Sequence, residues 1–124
     1  MRTYYTYILA SKPYGTLYIG VTNGLLQRVG DHRGGAGSRF TARYGVDRLV
    51  YFETFSTIDD AIQREKSLKR YRRRWKINLI ERDNPDWLDL YPVLLALPEN
   101  RHAATSGEMG PRDPGLRRGR QAQG

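Results

Sequence analysis

The spacing of apolar positions changes several times along the chain, and each change marks an element. Tyr4 to Ala10, "YYTYILA", is a run of β-forming residues, and "TLYIGV", Thr16 to Val21, is a second. Between them "SKPYG" supplies a proline and a glycine for a turn, which predicts an antiparallel hairpin. A register in which paired numbers sum to about 25 sets Tyr7 opposite Tyr18; a slip of one residue would turn every side chain to the other face.

From Gly24 the period becomes helical. Leu25, Leu26 and Val29 form the stripe of a helix predicted over about Gly24 to His32, capped by Thr22 or Asn23 and ended by the glycines at 34, 35 and 37. Gly30 weakens its intrinsic propensity, so this helix should depend on tertiary packing. Residues 34–46 read as a mobile Gly-rich loop holding the basic and aromatic "SRFTARYG", and "RLVYFETF", Arg48 to Phe55, is a third strand. Ser56 and Thr57 ahead of Asp59 and Asp60 resemble a capping box, opening a helix with Ile58, Ala61, Ile62 and Leu68 on one face. A break near Tyr71 separates it from "RRRWKINLIER", expected to turn Trp75, Leu79 and Ile80 inward and to stop at Pro85. "DWLDLYPVLLALP" is a packed closing segment without a clear period.

These elements predict an α/β (α+β) domain: a small three-stranded antiparallel sheet flanked by helices over residues 1–92, then a closing segment over 93–98. Residues 99–124 change character. They are rich in Gly, Pro and Arg and nearly lack large apolar side chains, so they cannot offset ordering entropy and are expected to form a disordered tail. Its "RRGR" either adds loose phosphate affinity or is dispensable.

Composition narrows the function. The 124 residues leave little room for a second core. Neither a transmembrane run nor a signal-like leader is evident, which predicts a cytoplasmic protein without membrane attachment. The absence of cysteine excludes disulfides, thiolate zinc sites and cysteine nucleophiles, and the two histidines, His32 and His102, argue against a histidine-rich metal site. The net charge of +8 is mostly carried by residues 1–98, with 16 basic and 10 acidic side chains, and points to a polyanion such as nucleic acid. Eight basic residues crowd Arg64 to Lys76 against the single acid Glu65, with Tyr71 and Trp75 interleaved. That pattern favours a nucleic-acid contact over a merely solvated face.

A few residues are poorly explained by packing. Glu65 shares a helix face with Ala61, Ile62 and Leu68; a carboxylate there either pairs with Lys69 at i+4 or holds a cation. Arg28 and His32 share one face of the first helix, where an Arg can present a planar fork to a phosphate or simply cover apolar surface. Tyr4, Tyr5, Tyr7 and Tyr18 crowd the hairpin, and a phenol helped by a nearby Arg or metal-bound water can move a proton. One carboxylate suits a hard ion such as Mg²⁺, and the whole set fits metal-assisted phosphodiester hydrolysis.

"YTY" at Tyr5–Tyr7 and "YIG" at Tyr18–Gly20 resemble the two halves of the GIY-YIG nuclease motif. Arg28 follows Tyr18 by ten positions, and "GVTNGLLQRVGDHR…FTARYGVDRLVYFETF…AIQREKSLKR" is similar to the small stand-alone bacterial proteins of that family. The resemblance implies one divalent metal, Mg²⁺ or Mn²⁺, and in-line attack by water that leaves 5′-phosphate and 3′-hydroxyl ends. It implies Tyr18 as proton acceptor with Tyr7 orienting the nucleophile or sharing that role, Arg28 stabilising the transition state and Glu65 holding the metal. It also places His32 near the scissile phosphate, with Gly20 and Asn78 as structural neighbours. Arg39, Arg43, Lys66, Lys69, Arg70, Arg72, Arg73 and Lys76 are the expected nucleic-acid contacts.

Tyr5 departs from the motif's small glycine, so packing of that strand must differ from the parent pattern. The resulting expectation is an endonuclease, acting on DNA more readily than RNA, selective for structure or strand and weak in sequence specificity. DNA repair or recombination would be its setting. A catalytically inactive nucleic-acid-binding module of the same fold is the alternative. The oligomeric state is left open, a monomer being one option.

Overall fold

The computed structural model describes residues 2–34 and 39–97. The expected tail over 99–124 lies outside the described residues, as do positions 35–38 of the Gly-rich segment. Strands β1 (Tyr4–Ala10), β2 (Leu17–Thr22) and β3 (Arg48–Phe55) form an antiparallel sheet in the order β2-β1-β3. The helices are α1 (Leu25–Arg33), α2 (Arg39–Tyr44), α3 (Ile58–Lys69), α4 (Arg73–Asp83) and α5 (Leu90–Ala96).

β1 is apolar almost without interruption because it is the central strand, buried on both faces. Its odd positions, Tyr5, Tyr7 and Leu9, look towards α1, where Tyr7 meets His32. Its even positions look towards α3: the Thr6 hydroxyl donates to the Ala61 carbonyl at 2.7 Å. Tyr5 is fully buried and packs edge-on against Phe52, with ring centroids 6.2 Å apart, so the residue that departs from the family's glycine is a core side chain here.

The hairpin register differs from the expected one. Tyr7 pairs with Gly20, and Tyr18 pairs with Leu9. The shift is by two residues, an even number, so the faces are preserved and the two phenols still lie diagonally on one face. Between β1 and β3, Ile8 pairs with Tyr51 and Leu9 with Leu49, leaving Val50 as an extra residue in the ladder. The Val50 carbonyl accepts from the Asn84 side-chain amide at 3.1 Å, which satisfies a buried acceptor at the bulge.

α1 starts without a side-chain cap; Thr22 instead accepts from the Gly24 N–H at 3.0 Å and closes the corner. Gly30 lies where α1 crosses α5, since a Cβ there would come 3.3 Å from the Tyr91 hydroxyl. The segment expected as a loop contains α2, whose Thr41 is buried. α3 is capped by Thr57, which accepts from the Asp60 N–H, and two aspartates in its first turn complement the helix dipole. The closing segment is helical as α5, with Asp89 as its cap. Trp75, expected to point inward, is half exposed and instead lies edge-on to Tyr71 beneath the Arg72 guanidinium, while Leu79 and Ile80 are buried.

Arg64, one of the eight basic residues of the segment read as a nucleic-acid contact, is buried. Its Nε and Nη2 each donate to a Glu53 carboxylate oxygen at 2.8 Å, and the Tyr51 hydroxyl donates to the same carboxylate. Burying two charges costs several kcal/mol each, so the pair persists only because both partners are present and fully hydrogen-bonded. Arg64→Met leaves Glu53 uncompensated and should lower unfolding free energy by about 3–5 kcal/mol. Exposed Arg70→Met should change it by less than about 0.5 kcal/mol. Urea unfolding of both variants checks this, and similar midpoints would contradict the assignment.

Candidate active site

The site begins with Tyr7 on β1. Its cross-strand partner is Gly20, and a Cβ at Gly20 would lie 2.5 Å from the Tyr7 hydroxyl oxygen and 2.6 Å from Cζ. No side chain fits there unless the phenol leaves. The glycine of "YIG" therefore makes the seat of the first tyrosine, in addition to any role in strand geometry.

Seated in this way, Tyr7 is only 1% exposed, and its hydroxyl lies 3.2 Å from His32 Nε2. His32 Nδ1 lies 2.9 Å from the Thr41 hydroxyl, so both ring nitrogens of a 4% exposed imidazole are hydrogen-bonded. Tyr18 completes an aromatic cluster, its ring centroid 5.4 Å from His32 and 6.4 Å from Tyr7. Unlike Tyr7, it is partly exposed. Arg28, one helical turn before His32 on α1, is exposed.

Electrostatics tie the remaining residues to this cluster. Burial raises the Tyr7 phenol well above its ordinary value of 10.0; Tyr18 raises it further, Arg28 pulls it down, and the Glu65 charge raises it. Tyr18, Arg28 and Glu65 thus all act on one hydroxyl. Burial lowers the His32 imidazole below its ordinary 6.5, Arg28 lowers it again, and Asp31 partly opposes both. At neutral pH the pair is a protonated phenol beside a neutral imidazole.

Glu65 sits on α3, its side chain 21% exposed, and pairs with Lys69 at 3.0 Å. The ion pair leaves Glu65 partly exposed and within electrostatic reach of Tyr7, so the two readings of this carboxylate do not exclude each other. The donor chemistry fits a hard divalent cation: the available donor is a partly exposed carboxylate oxygen, with no thiol in the chain. Among the described residues no three His, Cys, Asp or Glu side chains cluster as a closed cage. An ion held by Glu65 would keep several of its waters, as Mg²⁺ does.

The other expected residues divide. Arg39 and Arg43 are exposed on α2, and Lys66, Lys69, Arg70 and Arg72 are exposed on or after α3, while Lys76 is partly covered. Arg73 is taken up by the β1–β2 turn, where Nη2 donates to the Tyr14 and Gly15 carbonyls at 2.7 Å each. Asn78 is exposed on α4, away from the structural role expected of it. Asn84 fills such a role: besides Val50 it donates to the Leu88 carbonyl and accepts the Leu88 N–H, both at 2.9 Å. An asparagine directly before Pro85 at a helix end was the available signal for it. Thr41 was not marked by any spacing, because its contact with His32 needs α2.

The fold is a small antiparallel sheet with helices on both faces, and it carries a cluster of two phenols and an imidazole in the charge field of a guanidinium and a carboxylate. Residues 3–78 match the family model of the GIY-YIG catalytic domain, and the chain belongs to that nuclease family. It is similar to a UPF0213 protein of Clostridium perfringens, 41% identical over 76 residues that cover 61% of this chain and 81% of the relative. A UPF0213 protein of Haloquadratum walsbyi is 36% identical over 78 residues, covering 63% and 86% of the two chains. The solution structure of a UPF0213 protein from Bacillus halodurans is 29% identical, covers 70% of this chain and 92% of that one, and superposes with a TM-score of 0.45.

Gly20→Ala should cost about 1–3 kcal/mol, the range for overpacking. In a Tyr7→Leu background that cost should largely disappear. A double-mutant cycle on denaturation free energies checks the contact, and additive values would refute it.

Proposed function

We propose that this protein is a metal-dependent endonuclease that hydrolyses phosphodiester bonds in nucleic acid, DNA in the first place, with low sequence specificity. The observation that carries this reading is the buried Tyr7–His32 hydrogen bond with the Tyr18 ring packed beside it, within the electrostatic reach of Arg28 and Glu65. Membership of the GIY-YIG family supports nuclease chemistry and a divalent ion in general terms. Among the described residues no helix is long and apolar enough to cross a membrane.

Tyr18 is the phenol at the mouth and relays a proton: it takes one from the attacking water as its own passes to solvent. Tyr7 keeps its own proton at neutral pH and shares a hydrogen bond with His32 Nε2, in which a neutral imidazole can accept, forming the inner wall against which Tyr18 is oriented. Thr41 fixes the other side of the imidazole. Arg28 stabilises the charge that develops on the phosphate oxygens. Glu65 is the residue that would hold Mg²⁺ or Mn²⁺, and such an ion would supply electrostatic stabilisation of charge developing on the phosphate and leaving oxygens.

The cationic surface supplies affinity. The start of α4 carries Arg72 and Arg74, beside an Arg73 held by the β1–β2 turn, where the helix dipole disfavours positive charge, an arrangement that a bound phosphate chain would relieve. Binding should therefore weaken steeply with salt.

Cleavage of single-stranded, duplex, flapped and branched DNA and of RNA, with Mg²⁺, Mn²⁺ or EDTA, tests the proposal. Cutting should require metal, vanish in Glu65→Ala and fall by about a hundredfold or more in Arg28→Ala. Binding without cleavage under either metal would leave only a nucleic-acid-binding module. The pH dependence follows from His32: activity should be flat from neutrality to below pH 6.5, then fall as the imidazole protonates and can no longer accept from Tyr7. A fall that begins above pH 6.5 would contradict this role.

A further inference from the structure

α2 carries the least expected surface of the molecule. Phe40 is 42% exposed and Tyr44 is 50% exposed, at i and i+4 on a six-residue helix. Phe40 stacks on Tyr18, ring centroids 6.2 Å apart and planes at 28°, and Phe40 and Tyr44 follow at 4.9 Å. Three rings thus run outward from the candidate active site. Arg39 and Arg43 repeat the same i, i+4 spacing beside them, and the Arg43 guanidinium lies 5.6 Å from the Tyr44 ring centroid.

The row is anchored at the site. Thr41, between the two aromatics in sequence, is buried and bonded to His32, and its carbonyl accepts the Val46 N–H at 2.9 Å. One side of α2 is held against the catalytic imidazole while its rings and cations face solvent. Exposed aromatic faces interleaved with cations match one polyanion in particular, a strand whose bases are unpaired. Each base offers a π-face to a ring, and each phosphate offers a charge to an arginine. In a duplex those base faces are covered by their neighbours, so a paired substrate could use the arginines but not the rings.

We propose that Tyr18, Phe40 and Tyr44 form a stacking platform that receives the unpaired bases flanking the scissile phosphate, making single-stranded nucleic acid the preferred substrate. This rests on the nuclease reading in one respect, that the site receives nucleic acid, and it narrows structure or strand selectivity to the unpaired strand. Because stacking tolerates any base, the platform is also consistent with weak sequence specificity.

The test is fluorescence anisotropy in EDTA, so that cleavage does not enter, with three labelled probes of equal length. They are a mixed-sequence single DNA strand, the same strand made abasic throughout, and a blunt duplex. The intact strand should bind about fivefold or more tighter than the abasic one. Phe40→Ala and Tyr44→Ala should each remove about fivefold or more of affinity for the intact strand alone, and Phe40→Trp should restore it.

Equal binding of intact and abasic strands would overturn the platform, as would a duplex bound as tightly as the single strand. Loss of affinity for all three probes alike would do the same. An effect of Phe40→Ala confined to self-association, seen by sedimentation, would assign the rings to a second copy of the chain and overturn it too. Preferential binding of the intact strand without cleavage in metal would defeat the nuclease reading while leaving the platform standing.

Discussion

The site depends on one contact: the Tyr7 phenol lies where any side chain on Gly20 would be, and from that seat it reaches His32. The contact joins the central strand, the edge strand of the hairpin and the first helix. It requires the pairing of Tyr7 with Gly20, so the register of β1 on β2 is a condition for the chemistry as well as for the sheet. Burial then sets the protonation states. The phenol is pushed up and the imidazole down, so each holds the form in which one can donate and the other accept.

A second constraint brings the carboxylate to the same place. Arg64 and Glu65 are adjacent on α3, yet one is buried against Glu53 and the other is partly exposed, paired with Lys69, with its charge felt by the Tyr7 phenol. A bidentate, buried pair fixes the rotation of a helix more tightly than apolar packing alone, because a small turn would strand both charges. Thr6 adds a hydrogen bond to the Ala61 carbonyl on the same side. On this reading the cost of burying Arg64 and Glu53 is offset by the orientation it gives to Glu65.

Much of this was legible from residue order. The strands, the break near Tyr71 and the cap at Thr57 follow from local chemistry, and the pairing shift left the faces unchanged because it was even. Tyr7, Tyr18, Arg28, His32 and Glu65 were recognisable as misfits for packing and by the resemblance they carry to the GIY-YIG motif. What was not legible depends on tertiary partners. Arg64 looks like one of eight cations until Glu53, eleven positions away, is seen beneath it. Asn84 matters only because β3 bulges at Val50, and Thr41 only because α2 turns it onto His32. Trp75 fits an inward helical position by spacing, yet Arg72 and Tyr71 hold it at the surface.

The most direct test is a pH titration of the His32 imidazole by NMR in wild-type and Tyr7→Phe protein. The account predicts a wild-type ring that is neutral at pH 7, titrates below 6.5, and shows a shift of its Nε2 resonance when the Tyr7 hydroxyl is removed. A ring that titrates at or above 6.5, with Nε2 indifferent to Tyr7→Phe, would contradict it.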